Sequence, residues 1–266
     1  MRGAIAGDVI GSLYEWHRIK TTDFPLFRPE SHWTDDTVLT VAVAEALLGD
    51  GDYVTAMKKW GLRHPRAGYG GMFRQWLATP QHRLAPYQSF GNGSAMRVSA
   101  VGWLRHTEDA VLAEAARSAE VTHNHPEGIK GAQAVALAIL RARTGVSQAD
   151  IRRELTERFD YDLSRSLEEI RPDCRFDETC QGSVPEALIA FFEAKSWEEA
   201  VRNAVSLGGD ADTQACIAGS VAEAFFGGVP EDVWAEVDRR LTPGMRKVIA
   251  RFDARRRQGH RRAETA

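Results

Sequence analysis

The chain runs through Leu207, Gly208, Gly209, Asp210, Ala211, Asp212 and Thr213 straight into Ala215, Cys216, Ile217, Ala218 and Gly219. Two carboxylates and a hydroxyl thus fall within four residues, behind two glycines and at the mouth of a helix whose small apolar side chains read as buried. A carboxylate taken out of water without a partner is strongly destabilising. Any fold this chain adopts must therefore bring compensation to that turn. The same device occurs earlier: Trp33, Thr34, Asp35, Asp36 and Thr37 precede the apolar run 38–48, with Gly49 at the helix C-terminus. One Thr or Asp caps a helix and the dipole favours a further acid in the first turn. Capping alone accounts for either motif but not for its recurrence.

The rest of the chain reads as helices joined by short loops. Gly3, Gly7 and Gly11 lie at four-residue spacing on one helical face, where glycine makes sense if another backbone comes close. Helices are expected over residues 53–62, 72–77, 107–120, 126–143, 147–159, 164–170, 185–194, 196–208 and 212–226, and after Pro230 and Pro243, and residues 91–97 lead into one that runs through Trp103. Ser196 with Glu199 makes a capping box, and Pro126 suits a first helical position. No period-two strand and no repeat of fixed period stands out. The expected fold is all-α, a compact orthogonal bundle of about ten to twelve helices in a single domain over residues 1–253, long enough to bury a large core.

Charge sets limits on partners. The net charge is −3, and residues 254–266 hold five arginines against one glutamate, so residues 1–253 carry −3 minus +4, or −7. An acidic body argues against nucleic-acid binding by the fold itself, and the basic end is expected to be a solvated, disordered tail. Cys174, Cys180 and Cys216 form neither an even disulfide set nor a zinc-ligand spacing, consistent with reduced thiols. Asp8 interrupts the only run resembling a signal peptide, and no stretch approaches a membrane span. A soluble, cytoplasmic and monomeric protein is expected.

Bringing Asp35 and Asp36 together with Asp210 and Asp212 demands a cation, because like charges at close range disfavour ionisation. Carboxylates and threonine hydroxyls, with no thiolate among them, point to hard divalent ions, Mg2+ or Mn2+. Gly91, Asn92 and Gly93 before a helix form either an ordinary tight turn or an anion-binding N-terminus. His123 and His125, at i and i+2, cannot share one helical face.

Five of these segments, in order, resemble the motifs of the ADP-ribosylglycohydrolases, a family that includes the dinitrogenase reductase activating glycohydrolases. Residues 3–15 resemble the opening motif, 33–37 the first metal motif, 91–97 the ribose and phosphate loop, 122–126 the histidine motif and 208–213 the second metal motif. The resemblance implies an all-helical fold around two Mg2+ or Mn2+ ions held by Thr34, Asp35, Asp36, Asp210, Asp212 and Thr213, with Gly208 and Gly209 letting the backbone approach the ions. Asn92, Gly93, Ser94 and His125 would contact ADP-ribose; Tyr69, Tyr87 and Phe90 are candidates to stack on adenine. Glu15 is the first choice for general acid or base, with Asp35 or Asp36 as competitors, and Asp8 would organise ligands rather than bind metal. The implied reaction releases ADP-ribose from a protein side chain, a small molecule or a nucleic-acid adduct.

Overall fold

The computed structural model describes residues 1–264, and the side chains of residues 1–258. Fifteen α-helices occur among them: α1 (Arg2–Gly11), α2 (Asp35–Leu48), α3 (Tyr53–Arg63), α4 (Gly71–Ala78), α5 (Gly93–Met96), α6 (Ser99–Leu104), α7 (Glu108–Glu120), α8 (Pro126–Arg143), α9 (Gln148–Phe159), α10 (Leu167–Ile170), α11 (Cys180–Phe192), α12 (Trp197–Val205), α13 (Ala211–Phe225), α14 (Glu231–Arg240) and α15 (Pro243–Glu264). No strand is present among the described residues; the only β pairing there is an isolated antiparallel bridge between Gly91 and Thr179. The class is all-α as expected.

The axis of the molecule is α13, buried from Ala211 to Ala224 and packed against α1, α8, α11 and α12. Its small side chains admit α1 to backbone contact. A Cβ placed on Gly7 would stand 2.1 Å from the Ala215 carbonyl oxygen, and one on Gly3 would stand 2.1 Å from that of Gly219. No side chain fits at such distances, so the four-residue glycine spacing is the complement of a bare α13. This contact fixes Asp8, on α1, beside the acidic start of α13.

Three expectations are corrected. The lead-in expected over residues 91–97 holds a short helix of its own, α5, separate from the helix expected through Trp103, which is α6. Arg97 and Val98 between them have ψ near −6° and −8°, which interrupts the ladder and lets the Arg97 side chain run inward. The fifteen helices among the described residues exceed the ten to twelve expected. The helix expected from Pro185 begins five residues earlier, capped by Thr179, whose hydroxyl accepts from the Gly182 N–H; Pro185 lies inside it. Finally, the basic segment expected as a disordered tail continues α15 as far as Glu264. Arg256 anchors its start, 3.6 Å from Glu223 and with its guanidinium 4.5 Å from the Trp103 ring centroid. Residues 265 and 266 lie outside the described residues.

Candidate active site

The two acidic turns, distant in sequence, meet. Thr213 Oγ1 donates to both carboxylate oxygens of Asp36, at 3.2 and 3.0 Å. Both motifs sit in the first turns of their helices, α2 and α13, so the positive ends of two helix dipoles face one another across the acids and offset part of their repulsion. Beneath them Asp8 is fully buried and accepts the backbone N–H of Thr34 at 3.0 Å, the Thr34 hydroxyl at 2.7 Å, the backbone N–H of Thr37 at 3.1 Å and the Thr37 hydroxyl. Asp8 is thereby the clamp that seats α2 on α1. On the other side Asn92 Nδ2 donates to Asp210 at 2.7 Å and to Ser183 Oγ at 2.9 Å.

This crowding disfavours ionisation of the acids that surround Asp212. Burial, and after it the negative charge of Asp212, push the carboxyls of Asp35, Asp36 and Asp210 well above the usual carboxylate range. The same causes, opposed by the bonds from Thr37 and Thr34, raise Asp8 to about 6. Glu15, half-buried on the loop after α1, is pushed up to about 7 by burial first and Asp212 second. Such a set lowers its energy by taking up protons or by taking up cations. Its donors are carboxylates and threonine hydroxyls, which suit hard divalent ions. Among the described residues no group of three His, Cys, Asp or Glu side chains stands in a geometry that would hold a metal; Asp36 and Asp210 are instead hydrogen-bonded to Thr213 and Asn92.

The acids form the floor of a cleft of about 500 Å3. Glu15, Asp35, Asp36, Asp210, Asp212 and Thr213 line it together with Asn92, Gly93, Arg97, His123, Tyr87 and Phe90. Four large apolar side chains that are exposed, Trp16, Met72, Phe90 and Phe176, stand around its mouth. Lys20 knots the loops of the catalytic end: its Nζ donates to the carbonyls of Cys174, at 2.7 Å, and Leu207, at 2.5 Å. Gly208 has φ +61°, and a Cβ there would stand 2.8 Å from the Ile19 carbonyl oxygen. What that glycine admits at close range in the structure is therefore the loop carrying Glu15.

The sequence matches the family model described as ADP-ribosylglycohydrolase over residues 1–261. The chain belongs to the ADP-ribosylglycohydrolase family. It is 26% identical to ADP-ribosylhydrolase ARH3 of Mus musculus over 85% of this chain and 82% of that protein. It is also 26% identical to ADP-ribosylarginine hydrolase Tri1 of Pseudomonas putida, over 88% and 71% of the two chains. A solved ADP-ribosylglycohydrolase-related protein complex superposes with a TM-score of 0.72 at 26% identity, covering 96% of both chains.

Within this ADP-ribosylglycohydrolase, the residues expected to bind substrate divide. Asn92 and Gly93 line the cleft, whereas Ser94, His125 and Tyr69 are not among its lining residues. Ser94 is fully buried and donates to the Gly128 carbonyl at 2.6 Å, tying α5 to α8. His125 caps α8, its Nδ1 accepting the Glu127 N–H at 3.1 Å. Tyr69 is buried against Phe73, with ring centroids 5.2 Å apart, and its hydroxyl has no partner. His123, not His125, is the histidine of the pair that lines the cleft. That His125 would cap a helix beginning at Pro126 was the available sign of which one would be spent structurally.

Proposed function

We propose that this protein is a metal-dependent hydrolase that cleaves the N- or O-glycosidic bond between the distal ribose of ADP-ribose and an acceptor, releasing intact ADP-ribose. The observation that carries the reading is the junction of Thr213 with Asp36, which merges two acidic helix starts into one cleft floor. Thr34, Asp35, Asp36, Asp210, Asp212 and Thr213 would supply the oxygens for two Mg2+ or Mn2+ ions. When bound, such ions would polarise ribose hydroxyls and offset charge around an oxocarbenium-like transition state.

The chain's own groups do the rest. Asn92, with its amide N–H bonds spent on Asp210 and Ser183, is locked beside the floor, and Gly93 lets a ligand come close to the backbone. Glu15, at the rim and with its carboxyl held near neutrality, is placed to move a proton to or from the reacting bond, with Asp35 or Asp36 as competitors. Phe90, exposed and lining the cleft, offers a face to adenine; Tyr69, being buried, does not. The acceptor is an ADP-ribosylated protein side chain or a related small-molecule or nucleic-acid adduct.

A panel of defined ADP-ribosylated substrates, incubated with Mg2+, with Mn2+ and with chelator, tests this reading by mass analysis of the products. Intact ADP-ribose released only with metal is the expected result. Binding without turnover on every substrate would mean a silent ADP-ribose-binding protein, and AMP or phosphate would mean a nucleotide phosphohydrolase.

A further inference from the structure

We infer that Arg97 and Thr122 are positioning residues that fix His123 in the tautomer carrying its proton on Nε2, so that the ring offers the cleft a neutral N–H donor. Arg97 is fully buried. Its NH2 group donates to the Ser118 carbonyl and to Thr122 Oγ1, both at 2.9 Å, while its Nε and NH1 have no partner. A guanidinium only donates, so the Thr122 oxygen must accept from it. The hydroxyl has one proton of its own to place, and of its two remaining neighbours, His123 Nδ1 and the Tyr87 phenol, it is Nδ1 that stands at hydrogen-bond distance, 2.7 Å. The hydroxyl therefore donates to Nδ1, Nδ1 is bare, and a neutral imidazole so arranged carries its single proton on Nε2.

Two further observations complete the relay. His123 is buried and lies beside the Arg97 cation, and both effects keep its ring neutral, burial being the larger. The free Nε2 lies against the ligand-binding loop: a Cβ on Gly93 would stand 3.2 Å from it, and one on Gly91 3.6 Å. Glycine at both positions leaves Nε2 open to the cleft that His123, Gly91 and Gly93 line. An Nε2–H there meets the acceptor oxygens of a phosphate; the other tautomer would present a lone pair, which repels phosphate oxygens and can only accept from a ribose hydroxyl. This last step, unlike the tautomer itself, rests on the reading that ADP-ribose occupies the cleft. The rival arrangement is also defined: the Tyr87 phenol lies close to the same hydroxyl. If Thr122 turned its proton to Tyr87, Nδ1–H would donate to Thr122 and Nε2 would be bare.

The side-chain 15N NMR spectrum of the ligand-free protein decides between them, with the His123 signals assigned by their loss in His123→Gln. The expected result is a protonated, pyrrole-like Nε2 and a bare, pyridine-like Nδ1; a protonated Nδ1 overturns the inference. Thr122→Val is expected to mix the two tautomers and Thr122→Ser to restore the single one, an outcome that a purely packing role for the side chain would not produce. Loss of one neutral hydrogen bond should weaken binding of free ADP-ribose to Thr122→Val by roughly 3- to 10-fold, with Thr122→Ser close to the original protein. Equal binding by all three overturns the ligand-facing half. No ADP-ribose binding by the unmodified protein, with the Nε2–H tautomer intact, would leave the relay standing and remove the proposed function instead.

Discussion

Asp36 shows how function and stability oppose each other at a single residue. It is buried among like charges and keeps its place through the Thr213 hydroxyl. Asp36→Asn retains an oxygen to accept that bond and removes one negative charge, so in chelator its melting temperature should rise above that of the original protein while turnover is lost. A lower melting temperature in chelator would show that the cluster is not repulsive. Asn92 makes the converse case. Asn92→Ala leaves Asp210 and Ser183 without their donor, which should cost about 1–3 kcal/mol and appear as a lower denaturant midpoint. The acids themselves were legible from the sequence because two charged turns before apolar helices demand an explanation. His123 was not, since its role depends on Thr122 and on Arg97, twenty-five residues away from that threonine, and spacing carries no trace of that bond. Tyr69 misled because an aromatic in a glycine-rich loop reads as exposed, while here it packs inward on Phe73.

At the scale of elements, the contact between α1 and α13 holds the site together, because it sets Asp8 under Thr34 and Thr37 and beside Asp212. Gly7→Ala drives a methyl into the Ala215 carbonyl, a backbone atom that cannot swing aside. A loss of about 3 kcal/mol or more is expected, or roughly 6–12 °C in melting temperature. Gly71→Ala, at the start of α4 with nothing within 4 Å of the added Cβ, is the control and should stay within about 0.5 kcal/mol. Equal melting temperatures for the two variants would contradict this account of the packing. The glycine pattern announced close approach but not the partner; α13 could be named only once the small residues 215–219 were seen to face it. Helix boundaries were less legible where helices are one turn long. Nothing in residues 91–97 announces the one-turn α5 ahead of the break at Arg97, and the early start of α11 is hidden by a proline that usually begins helices.

For the whole molecule, the all-α class followed from periodicity, the meeting of the two acidic turns was suggested by the recurrence of the motif but not fixed by it, and the ordered motifs led to the ADP-ribosylglycohydrolase family that the match over residues 1–261 establishes. The basic end ran against expectation because Arg256 finds both a carboxylate and an indole on the body, contacts that composition cannot reveal. No helix among the described residues is long and apolar enough to cross a membrane. If the acids are compensated by divalent ions, Mg2+ or Mn2+ should raise the melting temperature relative to chelator, and Asp210→Ala should blunt that rise. The central claim is tested most directly by the release of intact ADP-ribose from an ADP-ribosylated substrate by the original protein and by Asp210→Ala, each with Mg2+ and with chelator. Turnover by the original protein with metal, reduced by roughly 10²–10³-fold or more in chelator and in the variant, is the expected outcome. Undiminished release by Asp210→Ala, or by the original protein in chelator, would contradict it.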